Sequence, residues 1–140
     1  MRDSNFYVLG LLNMASSCFK NMGPSYMNSV CFDVDNYRNE FSKHYKVKDE
    51  DIKIHKYEGT FSELFKNLYL DEDNIINGLK YWLEMELDEI KNIYIEDEDS
   101  KLDSLLSGSE GGVSGFYSVE EVIFIEFEKT MLVIIIGNNE

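Results

Sequence analysis

Val122-Ile-Phe-Ile-Glu-Phe-Glu128, followed by Lys129-Thr-Met-Leu-Val-Ile-Ile-Ile136, is the stretch on which the fold turns. Both runs are rich in β-branched and aromatic residues, which fit a pleated surface. The charged pair Glu128-Lys129 separates them at the spacing of a hairpin turn. The second run is apolar on both of its faces. A strand of that kind sits inside a sheet rather than at its rim.

Working outward, Ile93-Tyr94-Ile95 reads as a short strand and Ser29 to Val34 as another. Asp51 to Tyr57 alternates apolar and basic residues and predicts an exposed strand. The helices announce themselves by period. Tyr37, Phe41 and Tyr45 recur at i, i+4 and i+8 behind a cap at Asp33 or Asp35. Thr60-Phe-Ser-Glu63 is a capping box opening a helix through Phe61, Leu64, Phe65 and Leu68. Asp71-Glu-Asp73 breaks and recaps the chain. The clearest helix follows over Asn74 to Lys91, with Ile75, Ile76, Leu79, Trp82, Leu83, Leu87 and Ile90 as its apolar stripe. That stripe predicts Trp82 in the core, with Glu84, Asp88 and Lys91 on the opposite, polar face. Asp99 caps a short helix carrying Leu102, Leu105 and Leu106, closed by Gly108. The N-terminal segment reads as a strand or helix start near residues 5–12. It continues as helix to about Asn21 and stops at Gly23-Pro24. Residues 107–115 hold four glycines and predict a mobile loop. The fold expected is α+β, with a mainly antiparallel sheet and helices packed on one face, in a single domain over 1–140.

Charge narrows the function classes. The 140 residues hold 13 Lys+Arg and 27 Asp+Glu, a formal net charge of −14. The excess is not uniform. Residues 84–129 carry fourteen acids against Lys91, Lys101 and Lys129, which is −11 of the −14. Phosphate backbones and anionic membrane surfaces are held by clustered cations, so nucleic acid and membrane are both excluded as expected partners. Aromatic residues at 14% and hydrophobic residues at 44% are too many for a disordered chain. No apolar run approaches the ~20 residues that span a bilayer, and no signal peptide is legible. Cys18 and Cys31 form no C-x-x-C motif and read as thiols in a reducing compartment, so a cytoplasmic location is expected.

The motifs of catalysis and metal binding are missing. Calcium loops started at Asp33, Asp71 or Asp97 fail at their fifth position, which is Tyr37, Ile75 or Lys101. Glu96-Asp-Glu-Asp99 reads as a solvated acidic loop. His44 and His55 lie on different expected elements and no H-E-x-x-H is present. Neither a G-x-S-x-G elbow nor a phosphate loop occurs. The Glu84–Asp88 pair has the i, i+4 spacing of two carboxylates on one helix face. Like charges there repel slightly, and a polar helix face is the simpler reading. No cofactor, metal ligand or catalytic residue is expected. A carboxylate hydrolase is the weakest of the functions considered.

The acidic 84–110 segment and the closing hairpin, Ser118 to Glu140, give the chain its character. A small, strongly acidic α+β chain of this kind resembles the immunity proteins of bacterial polymorphic and contact-dependent toxin systems. The N-terminal Trp motif and the Asn-Gly turn of one large superfamily of them are missing here, so no subfamily follows. The resemblance implies tight binding to a cognate toxin, often a basic nuclease, and blockage of its active site. Carboxylates imitate phosphate charge, and steered association then reaches about 10⁸–10⁹ M⁻¹s⁻¹ at low salt. The expected contact residues are Glu84, Asp88, Glu96, Asp97, Glu98, Asp99, Asp103 and Glu110, with Phe116 and Tyr117 as a desolvated centre. A nucleic-acid mimic that blocks a DNA-binding enzyme is the alternative. It calls for acids spread along the whole surface, whereas residues 1–50 hold six acids and six bases.

Overall fold

The structure is a computed structural model that describes residues 25–68, 73–108 and 118–138. The N-terminal element expected over residues 5–21, Cys18, the Asp71-Glu72 break, most of the Gly-rich loop, Glu110, Phe116 and Tyr117 lie outside the described residues.

Five strands form one sheet: β1 (Ser25–Asp33), β2 (Ile54–Lys56), β3 (Asn92–Glu96), β4 (Ser118–Glu126) and β5 (Thr130–Asn138). Their spatial order is β1-β5-β4-β3-β2, with every neighbour antiparallel. The hairpin turns at Glu128-Lys129, as its charges suggest, and the Phe127 N–H donates to Thr130 O at 2.8 Å. β5 lies between β1 and β4, which is why it is apolar on both faces. β1 starts four residues before the expected Ser29. Pairing with β5 along its whole length, from Ser25↔Asn138 to Asp33↔Thr130, imposes strand on a polar stretch of weak propensity.

The helices are α1 (Tyr37–Tyr45), α2 (Phe61–Leu68), α3 (Asp73–Leu87) and α4 (Leu102–Leu106). The α+β class and the antiparallel sheet agree with the sequence reading. The placement of the helices on one face does not, because they divide between both. Leu132, Ile134 and Ile136 of β5 join Ile123, Ile125 and Phe127 in a core closed by α2 and α3. Met131, Val133 and Ile135, one residue out of phase, join Val122 and Phe124 in a second core closed by α1 and α4. Strand alternation forces this division, since successive side chains point to opposite faces.

A bulge between Val119 and Glu121 of β4 shifts the register. One extra residue reverses the alternation, so Val119 falls on the α1/α4 side with Val122 and Phe124. α2 opens as its capping box predicts, with the Glu63 N–H donating to Thr60 Oγ1 at 3.1 Å. α4 is capped by a neighbour of the expected Asp99, since the Leu102 N–H donates to Ser100 Oγ at 3.1 Å.

Candidate functional site

The acids of residues 96–103 follow β3 out of the sheet and into α4. Edge pairing with β2 aligns His55 with Ile95, and the Asp97 N–H donates to Lys53 O at 3.0 Å. Two of the four consecutive carboxylates therefore meet basic side chains. Asp97 Oδ1 lies 2.7 Å from His55 Nδ1, and Asp99 Oδ2 lies 3.4 Å from Lys53 Nζ. Glu98 is exposed. Glu96 turns inward. Burial pushes its carboxyl up to about 7, helped by the charges of Asp103 and Glu121 and opposed by hydrogen bonds from the Ser100 hydroxyl and the Asp103 amide. Glu121 is raised as well, by burial first and then by Asp103 and Glu120. Glu96, Asp103 and Glu121 thus form one self-repelling group where α4 meets the sheet. The Ser107 hydroxyl fastens that junction, donating to Asp103 O at 2.7 Å and accepting from the Val119 N–H at 2.8 Å.

Glu84 and Asp88 stand apart from this group, because α3 and α4 cover opposite faces of the sheet. Their geometry is that of a helix ending. Glu84 accepts from Lys80 Nζ and from the Ile90 N–H, each at 2.9 Å. Burial disfavours its ionised form, but these two hydrogen bonds and the lysine charge outweigh burial and hold its carboxyl below the usual range. Asp88 follows the last helical residue with φ 72°, the left-handed conformation that stops a helix and favours glycine.

α3 also departs from its expected core stripe. Ile76, Leu79, Leu83 and Leu87 are buried, but Trp82 is 43% exposed, so its assignment to the core is corrected. Each residue turns roughly 100° about a helix axis, which swings Trp82 off the Leu79–Leu83 line toward solvent. There it meets Tyr81 (56% exposed) edge to face, with ring centroids 5.3 Å apart, beside Met85 at 61%. A Cβ at Gly78, one turn earlier on this side, would touch nothing. Glu86, Asp88 and Glu89 are exposed around the group. Sequence reasoning passed over this surface. The signal present was Tyr81 and Met85 at i, i+4, opposite the aliphatic stripe.

A cleft of about 370 Å³ lies between residues 56–61 and the end of α3. Lys56, Lys80 and Lys91 line it together with Glu58, Glu84 and Glu89, so its charges balance. A hollow of about 530 Å³ beside α1 is bordered by Arg38 and Asp49. Arg38 there is a strut: Nε donates to Asp49 Oδ1 at 2.8 Å and an Nη to Ile52 O at 2.8 Å. Among the described residues, no group of three or more His, Cys, Asp or Glu side chains is placed to hold a metal ion, and no helix is long and apolar enough to cross a membrane. No protein-family model, curated protein or solved structure matches the chain.

Proposed function

We propose that this chain is an inhibitory protein-binding domain that neutralises a basic protein partner, in the manner of the toxin immunity proteins its sequence resembles. One observation carries the reading. Of the chain's net charge of −14, residues 84–129 hold −11, and that segment presents Glu86, Asp88, Glu89, Glu98 and Glu120 as exposed carboxylates on the folded chain. These carboxylates, divided between the end of α3 and the α4 side of the sheet, attract cations, so they speed encounter with a cationic protein and select against acidic ones. The His55–Asp97 pair lies at the exposed sheet edge, and in the charge-balanced cleft Glu84 is tethered to Lys80 and to the Ile90 N–H. Binding rather than turnover is therefore the role proposed.

The test is growth rescue. A gene encoding a cationic toxin domain should lie beside this chain's gene; cells expressing that domain should arrest, and co-expression of the chain should restore growth. Unrelieved arrest with both proteins folded and present sinks the reading.

A further inference from the structure

The cleft between residues 56–61 and the end of α3 differs from the rest of the chain in its charge. Three of the 13 basic residues, Lys56, Lys80 and Lys91, line it against Glu58, Glu84 and Glu89. A neutral hollow is thus set into a molecule of net charge −14. Its volume, about 370 Å³, lies within the range of small-ligand sites. Its lining is not polar throughout. Phe61 and Ile93, both buried, and the half-buried Ile90 border it as well.

The fold uses one of the three charge pairs. Lys80 and Glu84 meet at 2.9 Å, and Glu84 also accepts from the Ile90 N–H. Lys56, Lys91, Glu58 and Glu89 are exposed and enter no ion pair among the described residues. The backbone beneath them is nonetheless fixed. The Tyr57 N–H donates to Ile93 O, and the Lys91 N–H to Glu126 O, each at 2.8 Å. The Tyr57 ring leans on the α2/α3 core and lies across Gly59, where a Cβ would stand 2.7 Å from its Cζ and its hydroxyl oxygen. Glycine at 59 is what lets the ring form this wall. A wall set in place before a ligand arrives reduces the ordering that binding requires.

We propose that this cleft binds a free α-amino acid with an apolar side chain. Its carboxylate faces Lys56 and Lys91, its ammonium faces Glu58 and Glu89, and its side chain lies against Tyr57 and the apolar part of the lining. Charge decides the class. An anion alone meets two unpaired lysines together with two unpaired glutamates, within a strongly acidic chain. A cation alone is held better by carboxylates elsewhere that have no lysines beside them. A zwitterion satisfies both signs in one place, and hydrogen bonds between ionised groups are the stronger kind. The site is independent of the protein partner proposed above, so the failure of either leaves the other standing.

The probe is phenylalanine, added to the isotope-labelled full-length protein and followed by its amide signals in nuclear magnetic resonance. Three controls each lack one feature. N-Acetylphenylalanine keeps only the carboxylate, phenylalaninamide keeps only the ammonium, and glycine lacks the side chain. Phenylalanine should move the signals of residues 56–61 and 89–93 saturably. It should bind at least about tenfold more tightly than any control, the loss expected when a charged hydrogen bond or the apolar contact is removed. Lys91→Gln should shrink the preference over phenylalaninamide, and Glu89→Gln the preference over N-acetylphenylalanine, whereas a merely structural role would weaken all ligands alike. Gly59→Ala changes no charge and should weaken phenylalanine by displacing Tyr57.

Four results, all from the unaltered protein, overturn the inference. Signals of residues 56–61 and 89–93 that stay still at millimolar phenylalanine remove the site. Saturable shifts confined to other residues place the ligand elsewhere. Equal affinity for phenylalanine and either blocked form removes the pairing of both charges. Equal affinity for glycine removes the apolar contact.

Discussion

α1 and α3 are both aromatic helices lying on the same sheet, yet they spend their rings differently. α1 turns Phe41 and Tyr45 inward, where Phe41 meets Phe124 at 5.3 Å and Tyr45 at 4.8 Å between centroids. Its outer side holds Asn39, Lys43 and His44. α3 seals its core with aliphatic residues alone and presents Tyr81 and Trp82 to solvent. A helix polar on its outer side is accounted for by the fold it stabilises. A helix apolar on both sides has a second surface beyond the one that seals its core.

The sharpest test of that contrast is truncation. Phe41→Ala should cost about 3–5 kcal/mol of stability, because it removes a fully buried ring from a packed cluster. Trp82→Ala should cost less than about 1 kcal/mol, the range of exposed substitutions. Denaturant titration of the two variants measures both. Comparable losses erase the distinction between the helices.

Next in size is Glu96, beneath α4. Its folded carboxyl titrates near 7, above the ordinary glutamate value of about 4.3. The native state therefore holds this proton more tightly than the unfolded chain, and stability falls as pH rises through that window. Glu96→Gln keeps an oxygen to accept from Ser100 and the Asp103 amide. It should flatten the pH dependence between about 4.5 and 7 and add about 1 kcal/mol at neutral pH after allowance for solvent screening. An unchanged slope of melting temperature against pH contradicts the half-buried, repelled carboxyl.

The helix endings give a finer comparison. α1 stops at Lys46 with φ 58° and α3 at Asp88 with φ 72°. Glycine relieves the crowded Cβ at both, so Lys46→Gly and Asp88→Gly should each stabilise by about 0.5–1 kcal/mol. The gain should be larger at Asp88, since an anion opposes the negative end of the helix dipole while a lysine suits it. Equal gains in thermal unfolding remove the charge argument. The smallest effect is ionic. Raising salt from low to physiological should lift the melting temperature slightly by screening the repulsion within residues 84–129. A flat or falling midpoint refutes it.

Much of this was legible in the chain. The run Met131 to Ile136 marks an interior strand, and Thr60 with Glu63 fixes the start of α2. The division of helices between two faces was legible too, because a strand apolar on both sides needs cover on both. That inference requires joining a local pattern to a global one. Trp82 escaped for a different reason. A stripe including Ile75 and Trp82 spans more of the helix circumference than one sheet face covers, so its margins are settled by packing that no periodicity encodes. Glu96 was read with its acidic neighbours as solvent-facing. Its inward turn depends on β2 pairing with β3 and on the docking of α4, contacts distant in sequence. The acids of α3 and of residues 96–103 read as one patch along the chain and lie on helices covering opposite faces in space.

The position of β5 bears on how the protein is made. β1, Ser25–Asp33, leaves the ribosome first of the described strands, but its hydrogen-bonding partner is the last of them to be synthesised, Thr130–Asn138. Until then β1 lacks its neighbour among the described strands, and both apolar faces of the sheet lack the strand that joins β1 to β4. Assembly of this sheet must therefore wait for translation to pass Ile136, and the nascent chain carries β1 without that partner while everything between residues 33 and 130 is made.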